Sequence, residues 1–303
     1  MIETFQAVLP HGITLSCRAT GPVGAPLLVF LHGFPEAAFV WDELLEHFGG
    51  RYRCVAPNLR GFEQSSAPAA PEAYRVKHLL ADLDALLSQL GASESNPIAA
   101  LIAHDWGGAL AWTYAAQRAA MLSRLVIINS PHPATFLREL QHNPKQQAAS
   151  AYMNFLCRPD AEALLAENDF ARMWPMLTNM GALDTAREGG GWLTDAVRER
   201  YRAVWSAGLT GGCNYYRASP LRPPTANDSA VMQIQFTPEY VTVKLPTLVV
   251  WAEDDIALPP ALVDGLGEFV PSLRLVRVPG ATHWIVHERP QFIAREIERE
   301  LGT

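Results

Sequence analysis

The stretch Ala103-His104-Asp105-Trp106-Gly107-Gly108 places one acidic residue between a short apolar run and a series of small residues. A sharp strand-to-helix turn of this kind tolerates little side-chain bulk and pushes its central residue into a crevice as a nucleophile. Here that residue is Asp105, whose carboxylate is already ionised at neutral pH and needs no base before it attacks. An aspartate in front of a helix is also a common N-cap, so the rest of the chain must decide. Upstream, Pro26 to Leu31 runs into His32-Gly33-Phe34-Pro35. A loop there can give one backbone N–H to an oxyanion hole and the residue after the nucleophile the other, which predicts Phe34 and Trp106 as donors. Downstream, Thr247 to Asp255 ends an apolar run in acidic residues, and Gly280-Ala281-Thr282-His283-Trp284 sets a histidine in a later loop. Nucleophile, acid and histidine thus occur in an order known for hydrolytic triads.

These residues need a scaffold. Phe5 to Leu9 and Ile13 to Arg18 alternate around Pro10-His11-Gly12 and predict an antiparallel hairpin. Continuous apolar runs follow at Pro26 to Leu31, Arg53 to Ala56, Ile98 to Ala103 and Arg124 to Asn129, as expected of strands buried on both faces, and Thr247 to Trp251 and Leu273 to Val278 are further strands. Helical periods lie between them at Asp42 to Phe48, Ala81 to Leu90 and Gly107 to Arg118, with Gln291 to Leu301 closing the chain. Such alternation predicts an α/β fold with a parallel sheet. The strand signal vanishes from Pro131 to about Ser229, where Lys145 to Leu156, Asp160 to Glu167 and Asp195 to Ala207 read as helices. The expected organisation is a core over 1–131 and 230–303 with a helical cap over 132–229, and a pocket between the two. The run Gly189-Gly190-Gly191 follows no strand and reads as a flexible turn, not a phosphate loop.

At this point the sequence resembles the epoxide hydrolase branch of the α/β-hydrolase family over nearly its whole length. The resemblance rests on His32-Gly33-Phe34-Pro35, His104-Asp105-Trp106-Gly107-Gly108, Trp251 to Asp255 and His283-Trp284. It departs from the family at Ala103, where a glycine is usual. The resemblance implies an eight-stranded, mostly parallel sheet flanked by helices under an inserted helical cap, and two cap tyrosines aimed at the nucleophile. Asn214-Tyr215-Tyr216-Arg217 supplies Tyr216, and Tyr152 in Ser150 to Phe155 supplies the other by a looser match. By offset from Trp251 the triad acid is Asp255, with Asp254 in reserve. Substrate contacts are expected from His32, Pro35 and His104 beside the nucleophile and from Phe155 and Trp174 in the cap. A dehalogenase would use the same carboxylate but needs N–H donors for the halide, which Trp106 and Trp174 could supply; a fold that binds ligands without turnover is a third reading.

Bulk properties narrow the partners. The 303 residues carry a formal charge of −7 with no basic cluster, which argues against nucleic acid and anionic membranes and for a small-molecule epoxide with water. No apolar run reaches the roughly 20 residues of a membrane span, and the amino terminus lacks a secretory pattern. Cys17, Cys54, Cys157 and Cys213 form no CxxC pair, so reduced thiols and a cytoplasmic location are expected, with Cys54 in a buried strand. His283 and His287 share the spacing of helical metal ligands, but Trp284 stands where a zinc protease needs glutamate, and neither metal nor cofactor is expected. Monomer and homodimer remain equally open.

Overall fold

The computed structural model describes residues 1–302. Its centre is an eight-stranded sheet in the order β1-β2-β4-β3-β5-β6-β7-β8. β1 (Glu3–Val8) and β2 (Thr14–Thr20) form the antiparallel hairpin, with Glu3 opposite Ala19 and Val8 opposite Thr14. β2 also runs antiparallel to β4 (Arg53–Pro57). β3 (Leu27–Leu31), β5 (Ala100–His104), β6 (Leu125–Ile128), β7 (Thr247–Ala252) and β8 (Leu273–Val278) continue in parallel. Every residue of β5, β6 and β7 is buried, which is why these strands read as unbroken apolar runs. β3 pairs with β4 on one side and β5 on the other, so the chain reverses direction of growth there. The crevice at the carboxyl ends of such neighbours is where α/β sheets bind ligands.

α1 (Asp42–Phe48) matches its sequence pattern. α2 (Val76–Gln89) starts five residues before the apolar period, because Val76, Lys77 and His78 face outward and carry no stripe. α3 (Asp105–Gln117) buries Leu110, Ala111, Trp112, Tyr114 and Ala115, a helix enclosed almost all round against the sheet.

Between β6 and β7 the described chain is helical: α4 (Pro133–His142), α5 (Pro144–Ala149), α6 (Ala151–Leu156), α7 (Ala161–Phe170), α8 (Trp174–Thr178), α9 (Asp195–Ala207) and α10 (Thr210–Ala218). The single helix expected over Lys145 to Leu156 is two short ones meeting at Ser150. α10 escapes a periodicity reading because Gly211 and Gly212 sit in its first turns; a Cβ on Gly211 would come within 2.2 Å of the Gly61 carbonyl oxygen, so the glycine permits close packing. The short α11 (Pro238–Val241) leads into β7, and after β8 α12 (Ile285–Glu288) and α13 (Pro290–Leu301) end the fold. No described helix is long and apolar enough to cross a membrane.

α3 approaches the sheet where Gly107 leaves no room for a side chain: a Cβ there would lie 2.4 Å from the Leu31 carbonyl oxygen and 2.6 Å from that of His32. Gly107→Ala should destabilise the protein by about 2 kcal/mol through overpacking, whereas Gly50→Ala, whose Cβ meets nothing within 4 Å, should change stability by less than about 0.5 kcal/mol. Urea denaturation of both variants checks the difference.

Candidate active site

β5 delivers the chain to Asp105, which adopts φ 49° before α3 begins. A non-glycine residue in this left-handed region is disfavoured and persists only where its surroundings impose it. Three glycines do so. Gly107 brings α3 onto β3, Gly108 brings it against Ser130, and a Cβ on Gly33 would lie 2.2 Å from Asp105 Oδ1. The space at Gly33 is filled by the carboxylate. Phe34 donates its backbone N–H to Asp105 Oδ1 at 2.7 Å, and the Ser130 hydroxyl donates to the Asp105 carbonyl at 2.7 Å. Trp106 lies in the first turn of α3, where a helical N–H has no partner within the helix.

His283 sits in the loop after β8. Its Nδ1 lies 2.7 Å from Asp255 Oδ2 and its Nε2 lies 3.8 Å from Asp105 Oδ2. Asp255 is buried, and its other oxygen accepts from the N–H groups of Ala257 at 2.8 Å and Leu258 at 2.9 Å. Asn129, itself at φ 38° at the end of β6, donates to Asp255 Oδ2 at 3.0 Å. Asp254 instead turns outward to Arg187 at 3.1 Å, so Asp255 is the acid that faces the histidine. Burial alone would raise the Asp255 carboxyl, but the His283 charge and these hydrogen bonds hold it below the ordinary range. Burial likewise pulls His283 down, yet the Asp255 charge and hydrogen bond, then Asp105 and Glu36, outweigh it and push the imidazole up to about 9. The imidazolium is the resting form at neutral pH.

Asp105 opens onto a cavity of about 580 Å³ whose walls include Trp106, Leu110, Phe136, Tyr152, Met153 and Tyr216. α6 brings Tyr152 and α10 brings Tyr216, with ring centroids 6.0 Å apart. Tyr216 also meets Trp106 edge-on at 5.1 Å and Phe34 at 5.4 Å. Its neighbour Tyr215 donates its hydroxyl to the Arg60 carbonyl at 3.1 Å and is thereby committed elsewhere. Burial first, then Asp105 for Tyr152 and the neighbouring Tyr152 followed by Asp105 for Tyr216, hold both phenols well above the ordinary tyrosine range, so both keep their protons.

The other expected contacts lie away from that cavity wall. His32 Nε2 accepts from the Leu59 N–H at 3.0 Å while its Nδ1 faces the Gly33 carbonyl at 2.9 Å, and burial holds it down at about 4. It is a neutral brace between two loops. The Pro35 carbonyl accepts from Trp205 Nε1 at 2.8 Å. His104 is buried between Glu36, at 3.1 Å, and the His283 carbonyl, at 2.9 Å. Phe155 lies under the Arg158 guanidinium, and Trp174 packs on Trp205 with its indole N–H donated to the Asp169 carbonyl at 2.9 Å. Sequence reasoning passes over Glu36, a fully buried carboxylate that also contacts His287 at 3.0 Å and the Tyr201 hydroxyl at 2.9 Å. Burial would raise it, but its hydrogen bonds to His104 and His287 keep it well below the usual carboxylate range. Its only signal is a glutamate directly after Pro35. Asn129 and Ser130 were equally silent, since nothing local marks an asparagine at a strand end as a partner for Asp255.

Because the His283 pKa is raised on folding, its contribution to stability is present below pH 6.5 and is lost as pH rises through about 9. From pH 6.5 to above 9 the protein should therefore lose roughly 3 kcal/mol relative to His283→Gln. Denaturant titrations of both proteins at several pH values check this; a constant difference would contradict it.

Comparison with known proteins agrees with the geometry. Residues 26–290 match the family model described as the alpha/beta hydrolase fold. Epoxide hydrolase 3 of Xenopus tropicalis is 34% identical over 291 residues, covering 94% of this chain and 74% of the relative. Epoxide hydrolase 4 of Mus musculus is 31% identical, covering 95% and 76%. Among solved structures, an epoxide hydrolase from Bacillus megaterium in complex with an inhibitor superposes with a TM-score of 0.88 at 27% identity, covering 99% of this chain and 100% of that one. An epoxide hydrolase from metagenomes of hot environments gives 0.85 at 35% identity, covering 99% of each chain. With its elbow carboxylate, its ordered histidine and these relatives, the chain belongs to the α/β-hydrolase fold family, in its epoxide hydrolase branch.

Proposed function

We propose that this enzyme hydrolyses epoxides to vicinal diols through a covalent ester on Asp105, with His283 and Asp255 completing the triad and Tyr152 and Tyr216 as proton donors. The observation that carries the reading is a carboxylate with Oδ1 held by the Phe34 N–H and Oδ2 left toward His283, in a cavity shared with two protonated phenols. Asp105 Oδ2 attacks an epoxide carbon opposite the C–O bond, and that bond's electron pair goes to the oxygen. An alkoxide is a poor leaving group, so the tyrosine hydroxyls must donate to it as charge develops. Its proton comes through them and is replaced from the His283 imidazolium. Esterification removes the Asp105 charge, one of the anions holding that proton on the imidazole. Neutral His283 then takes a proton from water, and the hydroxide adds to the Asp105 carbonyl carbon. The oxyanion forms on Oδ1, within reach of the Phe34 and Trp106 N–H groups. Collapse expels the diol oxygen, which takes the carboxyl proton and restores the carboxylate and imidazolium.

The dehalogenase alternative needs a second halide donor, and the Trp174 indole N–H is already given to Asp169. A binding-only role fits poorly with every acid, base and donor position filled. We further propose that 132–229 acts as a cap over the core segments 1–131 and 230–303, since it supplies both tyrosines. The four free cysteines support a reducing, cytoplasmic setting.

His283→Gln should form the ester and stall, raising the protein mass by one substrate in intact mass spectrometry; a turned-over epoxide that leaves no adduct would remove the two-step scheme. Tyr152→Phe and Tyr216→Phe should each slow ring opening by about tenfold to a thousandfold, and the double variant should abolish it. A chloride assay on haloalkanes should show no release beyond an Asp105→Ala control.

A further inference from the structure

Two sequence features remain outside this chemistry, the Gly189–Gly191 run and Asp254, and the fold brings them together. The glycine run is a close-packed turn and not a flexible one. Gly189 has φ 75°, and a Cβ on it would lie 2.4 Å from the Glu288 carbonyl oxygen; one on Gly190 would lie 2.0 Å from that of Asp184. Seated this tightly, the segment directs Arg187 at both loops that carry acid and base. Its Nη2 donates to the Gly280 carbonyl at 2.7 Å and to Asp254 Oδ2 at 3.1 Å. Asp254 immediately precedes Asp255, and Gly280 stands three residues before His283. Beside the His283–Asp255 hydrogen bond, the two loops are also joined by the Asp254 N–H donating to the Ala281 carbonyl at 2.9 Å and the Glu253 N–H donating to the Val278 carbonyl at 3.1 Å. From α8 the Met176 carbonyl accepts from Trp284 Nε1 at 3.1 Å, beside His283.

Magnitudes separate Arg187 from its surroundings. The nearby Arg289–Glu188 pair, at 3.2 Å, involves a glutamate side chain 82% exposed and is worth little. The Arg187 side chain is only 25% exposed; its Asp254 partner is 51% exposed and adds little, so the tie rests on the 2.7 Å bond to the Gly280 carbonyl. Resting on the reading of His283 and Asp255 as base and acid, we infer that Arg187 is a positioning residue that holds the Asp255 and His283 loops in register for ester hydrolysis. Alkylation is spared. Breaking the C–O bond depends on Asp105, Phe34, Tyr152 and Tyr216, which β5, the loop after β3, α6 and α10 position and which Arg187 does not contact, and the return of a proton from His283 to the phenols follows that step.

The test uses Arg187→Met and, as a variant that unseats the turn without removing the charge, Gly189→Ala. Single-turnover kinetics on an epoxide should show alkylation within about twofold of the parent and hydrolysis slowed between about fivefold and a hundredfold, the scale at which small misplacement of a catalytic group acts. Arg187→Lys should recover part of the loss. Hydrogen exchange read by mass spectrometry should be roughly tenfold faster over 253–258 and 280–284 with β7 unchanged. Equal slowing of both steps, no slowing of hydrolysis, or unchanged exchange in these loops would overturn the proposal. If the parent opens no epoxide, the reading under Proposed function fails by itself, and the exchange measurement alone decides for or against the clamp.

Discussion

A single backbone angle shapes the site. Asp105 is held at φ 49° between the end of β5 and the start of α3, and a residue with a Cβ takes that conformation only under constraint. The constraint is close packing: Gly33, Gly107 and Gly108 let β3, α3 and the loop after β6 converge to distances at which any Cβ would collide. The convergence aims one carboxylate into the crevice and at the same time brings the Phe34 N–H to Asp105 Oδ1. Nucleophile placement and oxyanion stabilisation are therefore one structural event. The cap then needs only to close over the crevice and add its phenols.

The second requirement is electrostatic. Asp105, Asp255 and Glu36 place three carboxylates around His283, and a buried charge is tolerated only when paired and hydrogen-bonded. Asp255 has four partners in His283, Asn129 and the N–H groups of Ala257 and Leu258. Glu36 is matched by His104, His287 and Tyr201, and His104 in turn supports the His283 carbonyl. One imidazole is thus fixed from its ring by an acid and from its backbone by a second histidine. The same anions that orient it raise its affinity for a proton, and in the mechanism we propose, consuming one of them as an ester frees it to act as a base.

The positions of the candidate site residues are legible because short motifs mark strand ends: Asp105 after β5, Asp255 after β7, His283 after β8. The central strands β5, β6 and β7 were legible because burial on both faces makes them unbroken apolar runs. What escaped the sequence depends on distant packing. Ser150 breaks an apparently continuous helix, and α10 hides behind two glycines, Gly211 packed on Gly61 and Gly212 on the Phe34 ring. His32 and His104 look like substrate contacts because they flank the motifs, yet both are buried and committed to protein partners. Glu36 and Asn129 gain meaning only once residues far apart in the chain share an environment.

The central claim is that an oxygen of Asp105, not one from solvent, enters the product. Excess enzyme should be mixed with an epoxide in ¹⁸O-labelled water for a single turnover, and the diol and the peptide containing Asp105 weighed. The account predicts unlabelled diol and one ¹⁸O in the Asp105 carboxylate. Label in the first-turnover diol, with Asp105 unlabelled, would contradict it.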